Sequence, residues 1–369
     1  MHCRTSSLRS ALCAFLAALA LAWRPAPAAA QTPGFVYVAT NESAGNAVLQ
    51  FYRARNGALT PIDEAFTGGS GNGLTTVDPL ASQDSLVLSP DGLLLLVVNA
   101  GSDQVSSLSV DWDGLHLVST VSSKGTFPNS IALRGDLVYV LNAHGTPNIT
   151  GFRLVDAGKL IALSGSTRDL PGGSMAAPHD IHFSPDGTRL IVTDSGLNQL
   201  DVFQLDADGR ATGVVTTPSA GSGPFGFRFG RDDALICSEA ATASASSYFL
   251  TPQDTLSVIS PVVTNGQKAS CWISLTGNGE FGFVSDTGSG TLSSYRVRGN
   301  GALELVSAVA AATNGAAPID SAFSDDDRFF YVVDSSHGNV LIYRVHGASL
   351  EALGSVTGLP PSMQGIAAQ

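Results

Sequence analysis

The chain has 369 residues, with 31 acidic and 19 basic side chains and a formal net charge of −12. An acidic chain repels nucleic acid and anionic lipid, so both are poor candidates for a partner. Its four cysteines are too few for a disulfide-dense scaffold.

Residues 1–30 have the pattern of a secretory signal peptide. Arg4 and Arg9 precede an apolar run over residues 11–23, and small residues at 28–30 suit a cleavage site. The run is shorter than the roughly 20 residues of a spanning helix, which disfavours an uncleaved membrane anchor. We therefore expect a secreted or periplasmic protein that begins at Gln31. Its 16 basic and 31 acidic residues give a charge of −15.

A β-branched strand that ends in a short polar residue occurs seven times in residues 31–369. The polar residues are Asn41, Asn99, Asn142, Asp194, Glu239, Asp286 and Asp334. Their spacing of 43 to 58 residues is close to the 40 to 50 residues of a four-stranded propeller blade. Two β-sandwiches are the alternative, but the even spacing favours one propeller domain.

Turn signals flank each of these strands. Segments such as LVLSPDG at 86–92 and IHFSPDG at 181–187 precede the strand, and a second hairpin such as SSYRVRGNGALELV follows it. Gly in these turns supplies the positive φ that a tight hairpin needs. The pattern predicts four strands in meander order, A to D, in each of seven blades, and an all-β fold with no helix.

The first repeat lacks its own A strand, because the chain enters at Phe35 directly into a B strand. An apolar segment at Gln364–Ala368 has no partner of its own at the other end. We expect this segment to pair with the strand at residues 35–41, which closes the ring and removes two open sheet edges.

These blade motifs resemble those of the seven-bladed β-propeller lactonase family. That family is similar to propeller 6-phosphogluconolactonases and carboxymuconate cyclases, and YVTN-type surface propellers share its blade repeat. The resemblance extends from Phe35 to Ile366. It implies a hydrolase that opens a lactone or a cyclase that acts on a small molecule, although the blade motif specifies architecture more than chemistry.

Three side chains are candidates for a catalytic site at one mouth of the channel. His179 begins the A strand of the fourth blade, Arg228 lies in the A strand of the fifth blade, and Glu239 ends the B strand of the fifth blade. A lactonase needs a base that activates water and a donor for the developing oxyanion. Each candidate also has a structural alternative: a hydrogen-bonded histidine, a carboxylate that caps backbone amides, or an arginine packed between blades.

The resemblance implies a catalytic His and Glu at the positions of His179 and Glu239. The family also carries arginines where this chain has Phe225 and Ile319. Because those arginines would bind an anionic substrate, their absence favours a neutral lactone over a phosphosugar or dicarboxylate.

Two functions therefore stay open. One is an enzyme for a neutral small-molecule lactone, and the other is a non-catalytic propeller that binds a protein, peptide or glycan through its loop face. We expect a monomer with no metal or other cofactor, because no motif for either is present. Cys237 and Cys271, left after signal cleavage, either form a disulfide across neighbouring blades or stay free.

Overall fold

The strands form seven antiparallel sheets, or blades, in a computed structural model that describes residues 34–369. The predicted signal peptide lies outside the described residues. The innermost strands of the seven sheets contact one another in a closed ring. This confirms the seven-bladed propeller.

The strands of blades 1 to 3 are, in chain order, β1 (Gly34–Ala39), β2 (Ala47–Arg53) and β3 (Leu59–Phe66); β4 (Leu86–Leu88), β5 (Leu94–Asn99), β6 (Gln104–Asp111) and β7 (Gly114–Ser122); and β8 (Thr126–Arg134), β9 (Leu137–His144), β10 (Asn148–Val155), β11 (Lys159–Ala162) and β12 (Arg168–Asp169).

The strands of blades 4 to 7 are β13 (Pro178–Phe183), β14 (Arg189–Asp194), β15 (Gln199–Leu205) and β16 (Ala211–Pro218); β17 (Pro224–Phe229), β18 (Leu235–Glu239), β19 (Ser244–Leu250) and β20 (Leu256–Thr264); β21 (Ser270–Leu275), β22 (Phe281–Asp286), β23 (Thr291–Val297) and β24 (Leu303–Ala312); and β25 (Ser321–Phe323), β26 (Phe329–Asp334), β27 (Asn339–His346) and β28 (Ser349–Val356).

Strand β29 (Ile366–Ala368) completes blade 1 from the C-terminus. It pairs antiparallel with β1, in the register Val36 to Ala368 and Val38 to Ile366. The predicted ring closure is therefore confirmed. The first strand ends at Ala39, earlier than the repeat suggested, because Asn41 adopts a left-handed φ of 52° that a strand cannot continue through.

Burial follows the position of a strand in its blade. The second strands β5 and β26 are buried along their whole length, because neighbouring blades cover both faces of the sheet. The outermost strand β16 alternates between buried or half-buried and exposed residues, since only one of its faces packs against another blade.

Helical structure among residues 34–369 is limited to three single turns of 3₁₀ helix, at Gly173–Met175, Arg231–Asp233 and Ser335–His337. In the same part of the chain, no helix is long and apolar enough to cross a membrane.

The two faces of the propeller carry different connections. The D-to-A connections and B-to-C loops lie on what we call the upper face, and the A-to-B and C-to-D turns lie on the lower face. Gly92 and Gly187 of the predicted SPDG turns have φ values of 72° and 74°, which confirms the positive φ expected there.

The connection from β3 to β4 is residues 67–85, and we call its part over residues 67–83, which crosses the upper end of the channel, the plug. The amide of Gln83 reaches from blade 2 to blade 6, where its Nε2 donates to Ile273 O at 3.0 Å and its Oε1 accepts from Ile273 N at 2.9 Å. Trp272 Nε1 donates to Ser82 O at 2.7 Å. Ser82 and Gln83 are buried, so they fill the centre of the ring.

Further contacts join the plug to the remaining blades. Gly226 of blade 5 has no room for a side chain, because a Cβ there would overlap Oε1 of Gln83. Hydrogen bonds from the plug reach blades 3, 4, 7 and 1 at Asn129, His179, Ser335 and Gln364. The plug therefore ties together sheets that otherwise contact only their neighbours in the ring.

Candidate functional site

The candidate site differs from the one predicted from the sequence. His179, Glu239 and Arg228 were expected to meet at one open mouth of the channel, but the plug closes the channel on the upper face. Within residues 34–369, no hydrogen bond or ion pair joins His179 to either Glu239 or Arg228. The three residues occupy three different environments.

His179 is half-buried at the start of β13, just beneath the upper surface. Its Nδ1 lies 2.6 Å from the carbonyl oxygen of Ala81 in the plug, and its Nε2 lies 2.6 Å from Oγ of Ser195. Its ring stacks on Phe225, with centroids 4.2 Å apart and planes 21° apart. Contacts on both ring nitrogens and on one face hold the imidazole in a single orientation.

The protonation of His179 follows from these contacts. Burial lowers its pKa to about 4, against the hydrogen bond to Ala81 O and the charge of Asp180, which raise it. The ring is therefore neutral at pH 7. Because a carbonyl oxygen can only accept, Nδ1 carries the proton and Nε2 presents a lone pair to Ser195.

Ser195 was not among the site residues predicted from the sequence. It is the first residue of the B-to-C loop of blade 4, directly after Asp194, and it is half-buried. The register pairs Pro178 with Asp194 and Asp180 with Thr193, so His179 is the unpaired residue of a register shift beside the end of β14, where Ser195 follows. The predicted repeat contained this signal, since it placed an A-strand start beside a B-strand end in every blade.

The surroundings of His179 are apolar. Phe225, on which it stacks, packs edge-on against Trp272 at 4.8 Å and belongs to the same core cluster as Ile319. Phe225 and Ile319 are the residues that stand where the resemblance implied arginines. No arginine therefore comes from these two positions to hold an anion beside His179.

Glu239 is buried between blades 4 and 5. Its Oε1 accepts hydrogen bonds from Ser219 Oγ at 2.6 Å, from Ser246 Oγ and from Tyr248 OH at 3.3 Å, while Oε2 has no partner. Burial raises the pKa of Glu239, against these hydrogen bonds, which lower it. Asp286 of blade 6 accepts hydrogen bonds in the same way, so Glu239 occupies the capping position of the repeat.

Arg228 lies inside the channel, below the plug, where it joins three blades. Its Nη2 contacts Asp84 Oδ1 of blade 2 at 2.6 Å, and its Nη1 lies 2.6 Å from His182 Nε2 and 3.5 Å from Asp180 Oδ2 of blade 4. His182 Nε2 is also 2.7 Å from Asp84 Oδ2. We call these four residues and the neighbouring Asp320 the channel network.

The charges of the channel network are set by one another. Burial alone would raise the pKa of Asp84, but Arg228 and His182 lower it to about 2. Burial alone would lower the pKa of His182, but Asp180 and Asp84 raise it to about 9. Burial raises the pKa of Asp320 well above its usual range, and its Oδ2 is buried without a hydrogen-bond partner.

Asp84, Asp180 and His182 have ligand atoms close enough together to hold a metal ion, all within 4.8 Å of one another. The guanidinium of Arg228 contacts all three of these side chains. The arginine therefore supplies the positive charge that a cation would bring to these carboxylates.

A cavity of about 500 Å³ opens below the channel network on the lower face. Asp84, His182 and Arg228 form its charged end, and its walls come from the A strands, including Leu88, Leu133, Phe229 and Ile366. Because each charged group is already paired with another, the cavity offers no isolated charge to a ligand.

Comparisons with known proteins agree with this architecture. The family described as "Lactonase, 7-bladed beta-propeller" matches residues 31–173 and 153–351. No curated protein matches the chain.

Several solved structures share the fold. A putative 6-phosphogluconolactonase from Bacteroides fragilis is 20% identical with a TM-score of 0.72, covering 92% of this chain and 99% of that one. The periplasmic gluconolactonase PpgL of Pseudomonas aeruginosa is 20% identical with a TM-score of 0.71, covering 90% and 99%. A virginiamycin B lyase from Staphylococcus aureus is 13% identical with a TM-score of 0.53, covering 73% and 83%. The family match extends over most of the chain, and the chain therefore belongs to the seven-bladed β-propeller lactonase family.

Proposed function

We propose that this protein hydrolyses a neutral lactone on its upper face, with His179 as the general base. The observation that carries the proposal is the hydrogen bond of 2.6 Å between Nε2 of His179 and the hydroxyl of Ser195. A base must lie within hydrogen-bond reach of the proton that it removes, and this nitrogen meets that requirement.

The state of His179 supports the role. A pKa of about 4 keeps the imidazole unprotonated at neutral pH, so the lone pair on Nε2 is available. The stacking on Phe225 and the bond to Ala81 O hold the ring in place before a substrate arrives, which lowers the cost of orienting it.

The surroundings support an uncharged substrate. Phe225 and Ile319 put apolar side chains where the resemblance implied arginines, and the chain carries a net charge of −12. An anionic substrate would approach against this charge without a cation at either position. A lactone without phosphate or carboxylate groups meets neither obstacle.

We also propose that the protein acts outside the cytoplasm as a monomer. The basic start, short apolar run and small residues of positions 1–30 support export. A periplasmic gluconolactonase has the same fold, which is compatible with this compartment.

The test is a panel of lactones offered to the purified protein and to His179→Ala. D-glucono-1,5-lactone and γ-butyrolactone represent neutral substrates, and 6-phosphogluconolactone represents an anionic one. We expect His179→Ala to lower kcat/KM on a neutral lactone by about 10²- to 10⁴-fold, the contribution of a general base. His144→Ala is the matched control, because His144 also stacks on a phenylalanine, Phe127, on the upper face.

The pH dependence gives an independent readout. Because only the unprotonated ring accepts a proton, kcat/KM of the wild type should fall as the pH decreases through about 4. Turnover that survives His179→Ala would remove the histidine from the reaction, and a preference for the phosphorylated lactone would overturn the charge argument. Glu239→Gln should preserve turnover, because Glu239 contacts neither His179 nor Ser195.

The second candidate is a non-catalytic propeller that binds a partner through the upper face. Three exposed apolar side chains on that face favour it: Leu74 and Val77 of the plug and Met175 of the connection to blade 4, at 51%, 39% and 67% exposure. No turnover of any lactone in the panel would support this candidate over the enzyme.

A further inference from the structure

In three blades a hydroxyl residue directly follows the aspartate that ends the B strand, and one of the three departs from the others. Thr287 of blade 6 donates its hydroxyl to Pro318 O at 2.7 Å, and Ser335 of blade 7 donates to Val77 O at 2.7 Å. Ser195 of blade 4 instead meets Nε2 of His179 at 2.6 Å. The repeat thus gives two structural hydroxyls and one that is paired with a base.

The direction of the hydrogen bond between Ser195 and His179 follows from the partner of the other imidazole nitrogen, Nδ1. Nδ1 of His179 donates to Ala81 O, so Nε2 has no proton to give and the hydroxyl of Ser195 must be the donor. The next acceptor for this hydroxyl, Ala177 O, lies at 3.5 Å, the limit of a hydrogen bond. The hydroxyl proton therefore points at the base.

The loop around Ser195 is held on both sides. Ser195 N donates to Ala177 O at 3.1 Å, while Oδ1 of Asp194 accepts from Ala177 N at 2.8 Å and from Gly196 N at 2.9 Å. Gly196 is exposed and Ser195 beside it is half-buried, and Gly196 has no room for a side chain because a Cβ there would overlap Met175 O. A nucleophile on a fixed backbone reacts without the entropic cost of first ordering the loop.

We infer that Ser195 is the nucleophile of a covalent lactonase, activated by His179 and oriented through the carbonyl of Ala81. The inference rests on the proposed function and adds to it the atom that attacks. A hydroxyl, a base within hydrogen-bond reach and a third group that orients the base are the general requirements for an activated serine. Here a backbone carbonyl stands in the place of the usual carboxylate.

The reaction has two half-steps. Oγ of Ser195 attacks the lactone carbonyl carbon while its proton passes to Nε2 of His179. The ring C–O bond then breaks, and the imidazolium returns the proton to the departing oxygen, leaving an ester of Ser195 that bears a free hydroxyl. Water next attacks this ester with His179 again as base. The serine leaves with its proton restored, and lactone plus water has become one hydroxy acid.

The ring-opened alcohol stays tethered to the ester, so it can close again on the acyl group. Intramolecular attack of this kind is strongly favoured over attack by an outside group. An acyl-enzyme from a lactone is therefore a short-lived species. A probe whose leaving group diffuses away is the better reporter of Ser195.

The experiment uses an alkyl fluorophosphonate, which loses fluoride when a nucleophilic serine attacks its phosphorus. Trypsin releases residues 190–210, in which Ser195 is the single serine, so mass spectrometry identifies the labelled residue directly. We expect labelling of this peptide in the wild type and in Ser335→Ala, and none in Ser195→Ala or His179→Ala. Circular dichroism melts of the variants show that each one is folded.

Lactone turnover is measured on the same samples. We expect Ser195→Ala to lose more than about 10³-fold in kcat, as nucleophile removal does in serine hydrolases, while Ser335→Ala keeps its activity. Unlabelled Ser195 together with full turnover by Ser195→Ala would overturn the nucleophile and leave His179 activating water. Labelling of Ser195 without turnover of any lactone would support the nucleophile and overturn the proposed substrate.

Discussion

Replacing Arg228 by methionine tests whether the channel network holds the blades together. The change removes the guanidinium and leaves Asp84 and Asp180 with His182 as their remaining cation. Asp180 is fully buried and the side chain of Asp84 is 14% exposed, so water cannot solvate these carboxylates in place of the lost guanidinium. Removing one partner of a buried ion pair costs about 3–5 kcal/mol.

For a domain of this size each kcal/mol corresponds to about 2 °C, so we expect the melting temperature of Arg228→Met to fall by about 6–10 °C. Arg153→Met is the control, since Arg153 pairs with the exposed Asp136 at 2.8 Å. An exposed pair contributes about 0–1 kcal/mol, which predicts a fall of about 2 °C or less. Urea unfolding followed through the fluorescence of the buried Trp272 measures the same difference at 25 °C.

The pH dependence should identify the groups involved. The pKa of Asp84 is lowered to about 2, so the stability from its pairing is complete above its usual pKa and is lost as the pH falls through about 2. The pKa of His182 is raised to about 9, so its contribution is complete below its usual pKa and is lost as the pH rises through about 9. The difference in stability between wild type and Arg228→Met should thus narrow as the pH falls through about 2, where Asp84 becomes neutral, and widen as the pH rises through about 9, where the variant loses His182 as its remaining cation. A variant that melts no lower than Arg153→Met at pH 7 would refute the reasoning.

Two further predictions concern the ring and its cysteines. Deleting residues 362–369 removes β29 and exposes the edge of β1, so the truncated protein should melt several degrees lower or aggregate, and an unchanged melt would argue against closure as a source of stability. Cys237 and Cys271 are both free and buried, which excludes in this structure the disulfide that the sequence left open. Thiol titration should therefore find two groups per chain in denaturant without reductant and almost none in the folded protein.

The architecture could be predicted from the sequence because its signals are local. Each blade carries its own hairpins, and the polar residue at the end of each B strand marks the period. The pairing of the C-terminal segment before Gln369 with the first blade could also be predicted, because the first repeat lacks its A strand. These features depend on residues close together in the chain.

The candidate site was predicted only in part, because its contacts cross the ring. His179 was predicted from its place at an A-strand start, but Ser195 was not, because the repeat marks the last residue of the B strand, Asp194, which lies one position earlier. Glu239 was a candidate because it ends a B strand at the expected channel mouth, and in the structure its carboxylate accepts hydrogen bonds from Ser219 and Ser246 between blades. Arg228 alternates with phenylalanines, and nothing in that local pattern indicated its contact with Asp84, 144 residues away.

The plug was not predicted at all. Residues 67–83 have no periodic pattern, and their course is set by partners such as Ile273, 190 residues further along the chain. A connection of this length in a compact domain is itself a signal, since long irregular connections are uncommon unless they have a role.

The plug and β29 also constrain the order in which the molecule can be completed during its synthesis. Gln83 leaves the ribosome 190 residues before its partner Ile273, an interval of roughly 10 to 40 s at ordinary rates of translation. Strand β1 lacks its neighbour β29 for even longer, because β29 is almost the last segment to be synthesised. Until then the first blade has an open edge and the centre of the ring is unfilled, so the nascent chain is exposed to pairing with other chains.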